Sequence, residues 1–462
     1  MKKQIIVLTT AIIATGSLHL DLQAQPVLPS PGQSAVQSVK AMLAANPNQP
    51  AALAVICQLA DDQDPEAVAT AHGVEANFTY SQAINGFGAQ VTPGQLRALQ
   101  NDPRIVGISL DRLITANVKP LAPPPGKGGG KDKGGDGGTE DTEQVPAGVV
   151  RVGAPDVWDD LGLTGAGIGV AVFDTGVDSD HPDLMDNLSG THYSGAFGTY
   201  EDGHGHGTHV SGTIAAVRGN TIGVVGVAPN ATIYGVKILD DGGNGSDTTI
   251  IGGLDWVMDH NTNNPGSPIH VINMSLGGPG GAADDNGPLH VAIQNAVASG
   301  VTVVVSAGNT CEISVDSNVP ARFPEVISVG SSTAETGGGR VKIQQDTESY
   351  FSTDGADITA PGETREDVKG NLIQSVGILS TGVGGGLEEM SGTSMAAPHV
   401  AGVVALLYEA AGGLTTPSAI EDAITFGAEG IGSLPLEAPV ACDFDDGDQE
   451  GIVSVLGALG NL

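Results

Sequence analysis

Four near-continuous apolar runs of strand length, at 167–173, 232–239, 270–275 and 301–306, limit most narrowly what this chain can become. Segments of helical length and spacing, at 210–217, 250–260 and 288–299, lie between them. Strands that lack polar alternation are buried on both faces, so the pattern predicts an α/β fold: a mainly parallel sheet with helices on both faces. In such sheets ligands sit beyond the carboxyl ends of the strands. Asp174 directly follows the first run and Asn309 lies just past the fourth, so both are expected at one crevice.

Upstream, residues 26–118 read as a small α+β unit. Strands are expected at 51–56, 83–91 and 106–110, with helices at 64–72 and 92–100, the second capped by Thr92 with Pro93 in its first turn. The unit holds no cluster of catalytic side-chain types. Residues 121–143 then turn abruptly to proline, glycine and lysine, a composition that builds no core and is open to cleavage. At the start, Met1-Lys2-Lys3 and a short apolar run have the shape of a secretory signal peptide with cleavage after Ala24. An N-terminal anchor is the competing reading, and the run is short for it; no later stretch reaches the roughly 18 apolar residues of a spanning helix. The expected division is therefore 1–24 signal peptide, 25–118 pro-segment, 119–144 linker and 145–462 main domain, with the mature protein exported and soluble.

The formal net charge is −35, and from Val145 onward 40 acidic residues face 8 basic ones. Nucleic acid and anionic membrane surfaces would be repelled, so neither is expected as a partner. The acidity is compatible with solubility, a salty medium, bound cations or basic substrates. The acidic tail 443–448 reads as a solvated loop or a metal-binding one, and 451–456 as a closing element of the main domain. Three cysteines are too few for a disulfide scaffold; an oxidising destination permits Cys311 and Cys442 to pair, and spacing alone does not decide it.

The string 391–402 runs through small and polar residues into an apolar helical pattern, which puts Ser394 beside a helix N-terminus, where backbone N–H groups favour developing negative charge. Alone, it reads more readily as an N-cap. A serine hydroxyl becomes a nucleophile when an imidazole takes its proton and a carboxylate fixes that imidazole's tautomer. His206, among small residues where a helix begins, and Asp174 supply these types. Asn309 offers an amide donor for an oxyanion, and the Ser394 N–H offers a second. His204, His206 and His209 also have spacing that suits zinc, but the His-Glu-x-x-His pattern is absent. A lipase-like arrangement needs Gly-x-Ser-x-Gly with the serine first in the chain, whereas Ser394 comes last.

Three strings, Asp174-Thr175-Gly176, the run 206–213 and the run 392–402, together resemble the subtilisin-like serine proteases in order and spacing. The order Asp, His, Ser belongs to the resemblance and is not a derivation. The resemblance covers 145–462; residues 26–118 are similar, more loosely, to the family's propeptide. It implies a secreted endopeptidase, made as an autoprocessed zymogen whose own propeptide is an intramolecular inhibitor, acting on protein or peptide substrates as a monomer without organic cofactor. Asp174 would orient His206, His206 would be general base and acid, Ser394 the nucleophile and Asn309 the oxyanion donor. Gly243, Asn244 and Gly245 match the edge that pairs with extended substrate, and Ser275, Leu276 and Gly277 match a wall of the first specificity pocket. Asn318 matches its floor, where an amide instead of glycine makes the pocket shallower and partly polar; a cis peptide at Val319-Pro320 is also expected. Structural calcium is implied by Asp183 and the Asn220 loop, with Val217, Ile222 and Val224 as further ligands and Glu143 or Gln144 at the N-terminal side. The reading from another class is a non-catalytic secreted peptide- or calcium-binding protein on the same fold.

Overall fold

The computed structural model describes residues 52–117, 143–338, 342–369, 372–436 and 449–462. The predicted signal peptide, its cleavage point, the glycine-rich stretch, Cys442 and the acidic tail 443–448 lie outside the described residues.

The first unit comprises β1 (Leu53–Leu59), α1 (Pro65–Ala71), β2 (Ala76–Tyr80), β3 (Gly86–Val91), α2 (Pro93–Leu99) and β4 (Ile105–Leu110). Asp64 caps α1 through the backbone of Glu66 and Ala67, and Thr92 with Gln95 forms a capping box on α2. The strands form an antiparallel sheet in the order β2-β3-β1-β4. Both helices pack on it through Val68, Leu96 and Leu99 against Phe87 and Ile108. The strand expected from residue 83 starts only at Gly86, and β2 was not foreseen. Ala83 and Ile84 instead pack into the core of the second unit, which pulls them out of the sheet. Past β4 a further short strand, β5 (Leu113–Ala116), leaves this unit altogether.

The second unit opens with α3 (Ala147–Arg151) and α4 (Ala154–Asp160) and continues through β6 (Gly169–Asp174), α5 (His206–Ala215), β7 (Thr232–Lys237), β8 (Asn244–Ser246), α6 (Asp247–Asn263), β9 (Ile269–Met274) and β10 (Leu276–Pro279). Then come α7 (Pro288–Ala298), β11 (Thr302–Ser306), β12 (Asn318–Val319), β13 (Ile327–Thr333), β14 (Ile358–Glu363), the hairpins β15 (Arg365–Lys369) with β16 (Leu372–Val376) and β17 (Ile378–Gly382) with β18 (Gly386–Met390), α8 (Thr393–Ala410), α9 (Pro417–Phe426) and α10 (Val455–Leu459).

A six-stranded sheet in the order β14-β13-β11-β9-β6-β7 has every neighbouring pair parallel. All six residues of β6 are buried, and the period of two sends them to opposite faces. Val170 and Val172 join the cluster built on α5 and α8; Ala171 and Phe173 join the one built on α6 and α7. This is the expected parallel sheet with helices on both faces. Strand β13 escaped notice because Ile327-Ser328-Val329-Gly330-Ser331-Ser332-Thr333 reads as polar, yet all seven residues are buried. Hydroxyl partners make that possible: Ser331 Oγ bonds Ser349 Oγ at 2.7 Å, and Ser331 N donates to Ser352 Oγ at 3.0 Å. The expected closing element at 451–456 pairs Ile452 with Thr359 and Glu429 before α10 begins.

The two units meet across α6. The Asp255 carboxylate accepts from the backbone N–H of Ser81, Gln82 and Ala83 at 2.9, 2.6 and 2.8 Å. Arg112 reaches Asp247 at 3.4 Å and also pairs with Asp284.

Candidate active site

Strand β6 delivers Asp174, fully buried, to the carboxyl end of the sheet, and its Oδ1 meets His206 Nδ1 at 2.7 Å. Thr175 N donates to the same oxygen at 2.7 Å. His206 is the first residue of α5, and Gly205, at φ 102°, makes the left-handed turn into that helix without a Cβ penalty. Asp202 holds the turn: its carboxylate accepts from His204 N, Gly205 N, Thr208 N, Thr208 Oγ1 and Thr175 Oγ1 at 2.7–2.9 Å. Burial works to raise the Asp202 pKa, but these donors and the helix N-terminus outweigh it and hold the group below the usual carboxylate range. Sequence reasoning passed over Asp202; its signal was an acid four residues ahead of His206, beside a glycine.

Ser394 is the second residue of α8. Its Oγ donates to Ser275 O at 3.0 Å, while Ser275 Oγ donates to Ser394 O at 2.8 Å. Helices α5 and α8 pack together, and each carries its residue, His206 or Ser394, in its first turn. His206 Nε2 is buried and makes no hydrogen bond, which leaves it a vacant acceptor or donor in the site. Asn309, past the end of β11, has its amide oriented from behind: Oδ1 accepts from Thr393 N at 2.9 Å and Thr393 Oγ1 at 3.1 Å. Its Nδ2 is thereby aimed outward and donates to Asn117 O at 2.6 Å. A carboxylate, an imidazole, a hydroxyl and an amide donor thus come from four different elements to one end of the sheet.

The three closely spaced histidines diverge. His206 turns to Asp174, His209 Nε2 bonds Ile378 O at 2.9 Å, and the His204 and His206 rings lie 6.2 Å apart, centre to centre, edge to face. Among the described residues no three His, Cys, Asp or Glu side chains gather as a metal-holding group.

A family profile described as the subtilase family matches residues 165–451. The chain belongs to the subtilase family. Subtilisin E of Bacillus subtilis (strain 168) is 39% identical to it over 338 residues, 72% of each chain. A subtilisin of Bacillus pumilus is 39% identical over 269 residues, 57% of this chain and 85% of that one. An alkaline protease of Alkalihalobacillus alcalophilus is 36% identical over 330 residues, 71% of this chain and 70% of that one. The protein is a subtilisin-like serine endopeptidase.

The cleft of this subtilase is filled by its own chain. Strand β5 lies antiparallel between β8 and β10, in a sheet ordered β12-β10-β5-β8. Ile114 faces Gly245 and Thr115 faces Asn244 on one side; Ala116 faces Leu276 and Thr115 faces Gly277 on the other. Ala116 N donates to Gly243 O at 3.0 Å, and Asn117 N to Ser275 O at 3.3 Å. Residues 243–245 and 275–277 thus flank β5 as two facing edges. Asn318 is nearly buried and donates its Nδ2 to Ala307 O at 2.6 Å, beside Gly277 and the Asn117 side chain. The Val319-Pro320 peptide is cis, and so is Leu434-Pro435. The sequence analysis ends the first unit with the strand at 106–110 and does not include this occupying strand, although Leu113-Ile114-Thr115-Ala116 carries the β-branched signal of one.

In the loop expected to hold calcium, Asp183 is buried. Its carboxylate accepts from Asn220 Nδ2 at 2.7 Å and Val224 N at 2.8 Å, and Val217 N donates to Asp183 O at 3.0 Å. Burial pushes the Asp183 pKa up, and the nearby Glu143 carboxylate adds to the rise. Glu143 itself accepts from Gly219 N, while Gln144 bridges to Val224. Asn220 Oδ1 accepts from Ile222 N at 3.0 Å. The Asp183 carboxylate, filled here by two N–H donors with His181 nearby, and the Glu143 carboxylate are oxygen ligands of the kind that suits a hard cation. Cys311 is disulfide-bonded, whereas Cys57 is a free, buried thiol in the first unit.

Proposed function

We propose that this subtilase is an exported zymogen that cuts peptide bonds through an acyl-enzyme on Ser394, with Asp174, His206 and Asn309 as its partners. The observation that carries the reading is the bond from Asn309 Nδ2 to Asn117 O at 2.6 Å: the backbone carbonyl just past a doubly paired strand lies on the amide that would receive its oxyanion. In the proposed reaction Ser394 Oγ turns from Ser275 O to His206 Nε2 and attacks the carbonyl carbon as the imidazole takes its proton. Asp174 holds the imidazole by Nδ1 and balances the imidazolium. The Ser394 N–H is the second oxyanion donor. His206 then returns the proton to the leaving amine, and water releases the acid in a second pass.

On this reading residues 25–118 are a propeptide whose last strand is its own inhibitor, and the signal-like residues 1–24 direct export. Among the described residues no helix is long and apolar enough to cross a membrane. Calcium would be held by Asp183, Asn220 and the carbonyls of Val217, Ile222 and Val224, with Glu143 at the N-terminal side, and would supply charge neutralisation and rigidity there.

Intact mass of wild type and Ser394→Ala, with a serine-reactive phosphonate added to the wild type, tests the function. The expected result is a trimmed wild type carrying one adduct on Ser394 beside an untrimmed mutant that hydrolyses no peptide. A Ser394→Ala protein with full activity overturns the reading.

A further inference from the structure

The side chain of Asn117 enters the space beside Gly277 and Asn318, where the resemblance puts the first specificity pocket. Its Nδ2 donates to Ser306 Oγ at 2.9 Å, and Ser306, wholly buried at the end of β11, points its own hydroxyl toward Leu276 O at 3.4 Å. In this arrangement Ser306 presents a lone pair to the Asn117 amide. Gly277 and Asn318 complete the walls. A Cβ built on Gly277 would lie 2.8 Å from Asn318 Oδ1 and 3.0 Å from Asn117 Nδ2, so any larger residue at 277 would intrude on the Asn117 side chain and this wall lies close against it. Asn318 is itself pinned by Ala307 O and does not swing aside.

We propose that this recess selects asparagine as the residue whose carbonyl is attacked, with Ser306 as the specificity-determining acceptor, and that the chain accordingly cuts itself after Asn117. The inference rests on the serine-protease reading and adds its substrate class. An asparagine carboxamide donates to Ser306 and fits under Asn318. Aspartate is received only if Ser306 turns its proton from Leu276 O to the buried carboxylate, leucine leaves the buried Ser306 acceptor unmatched, and phenylalanine also exceeds the floor. A site built around a hydrogen bond rejects analogues that lack the partner group more strongly than a greasy pocket rejects a wrong shape. In the step itself the Ser394 Oγ–carbon bond forms at Asn117 C, the Asn117–Val118 C–N bond breaks, and the proton passes through His206 to the Val118 amine. Water then cleaves the ester, leaving a carboxylate on Asn117.

The test uses peptides Leu-Ile-Thr-Ala-X ending in a fluorogenic amide, with X as Asn, Gln, Asp, Leu or Phe, on the self-processed enzyme, normalised to sites titrated by the phosphonate. The expected kcat/KM for Asn exceeds that for Asp or Leu by about tenfold or more. In Ser306→Ala the Asn-to-Leu ratio should fall by about fivefold or more. In the full chain the released propeptide should end at Asn117, and Asn117→Leu should slow its release. These last two measurements decide the matter if Ser306→Ala does not fold. Leu or Phe cleaved as fast as Asn, or a propeptide ending elsewhere, overturns the assignment while the protease reading stands. A wild type with no phosphonate adduct and no cleavage of any peptide overturns the protease reading, and this inference with it.

Discussion

Asn309 has two jobs divided between the two ends of one amide: Oδ1 is fixed by Thr393, and Nδ2 is left to face the carbonyl in the cleft. In the proposed reaction that donor is in place before any charge develops, so its loss should fall on turnover rather than on binding. Asn309→Ala is expected to lower kcat by about 10²- to 10³-fold, or about 2.7–4 kcal/mol, with KM little changed; steady-state kinetics on a peptide amide checks it. A matching rise in KM with kcat intact would mean that the amide only grips substrate. Of the candidate site, Asp174, His206, Ser394 and Asn309 were legible in the sequence, since each stands among small residues where a predicted element begins or ends. Ser306 was not, because a serine that closes an apolar run reads as the end of a strand. Asp202 was missed for another reason: most of its partners are backbone N–H groups that converge only once the turn at Gly205 has formed.

At the scale of elements, the parallel strands β6, β7, β9 and β11 were readable because both faces are buried and nothing polar interrupts them. β13 was hidden by its hydroxyls, and β5 by its mode of support. A strand held on both edges through its backbone needs no apolar face, and Leu113 is 63% exposed while Ile114 is fully buried. The 217–224 loop shows the opposite dependence, on side-chain charge. Asp183 and Glu143 crowd it, burial already raises Asp183, and a cation there would relieve both. A calcium chelator is therefore expected to lower the Tm of the subtilase, and Asp183→Ala should have a lower Tm that the chelator no longer moves. An unchanged wild-type Tm in scanning calorimetry would remove calcium from the account.

Over the whole molecule, titration pulls stability in two directions. His399 is buried in α8, and burial lowers its pKa from 6.5 to about 4; His209 falls to about 3 for the same reason. Between about pH 6.5 and 4 the unfolded chain takes up a proton at His399 that the folded chain refuses. This contribution is thus present above 6.5 and lost as pH falls, about 3 kcal/mol for His399. Asp247 acts oppositely: burial raises it to about 7, so its contribution is fully present below the ordinary carboxylate range and is lost as pH rises through 7. The two overlap, and the wild-type curve alone does not separate them. The difference in Tm between wild type and His399→Gln does: it should move in favour of the variant as pH drops below about 6.5, and a constant difference would mean that His399 titrates normally. The slot between β8 and β10 has a consequence of a different kind. It is one strand wide and pairs its occupant on both edges at once. A strand inside another protein's sheet already has neighbours at one or both of those edges, and a helix turns the same groups inward. Only a segment with both edges free can enter, so the cleft reads the conformational state of a protein before it reads any side chain, and a folded partner passes it intact until some stretch of its chain comes loose.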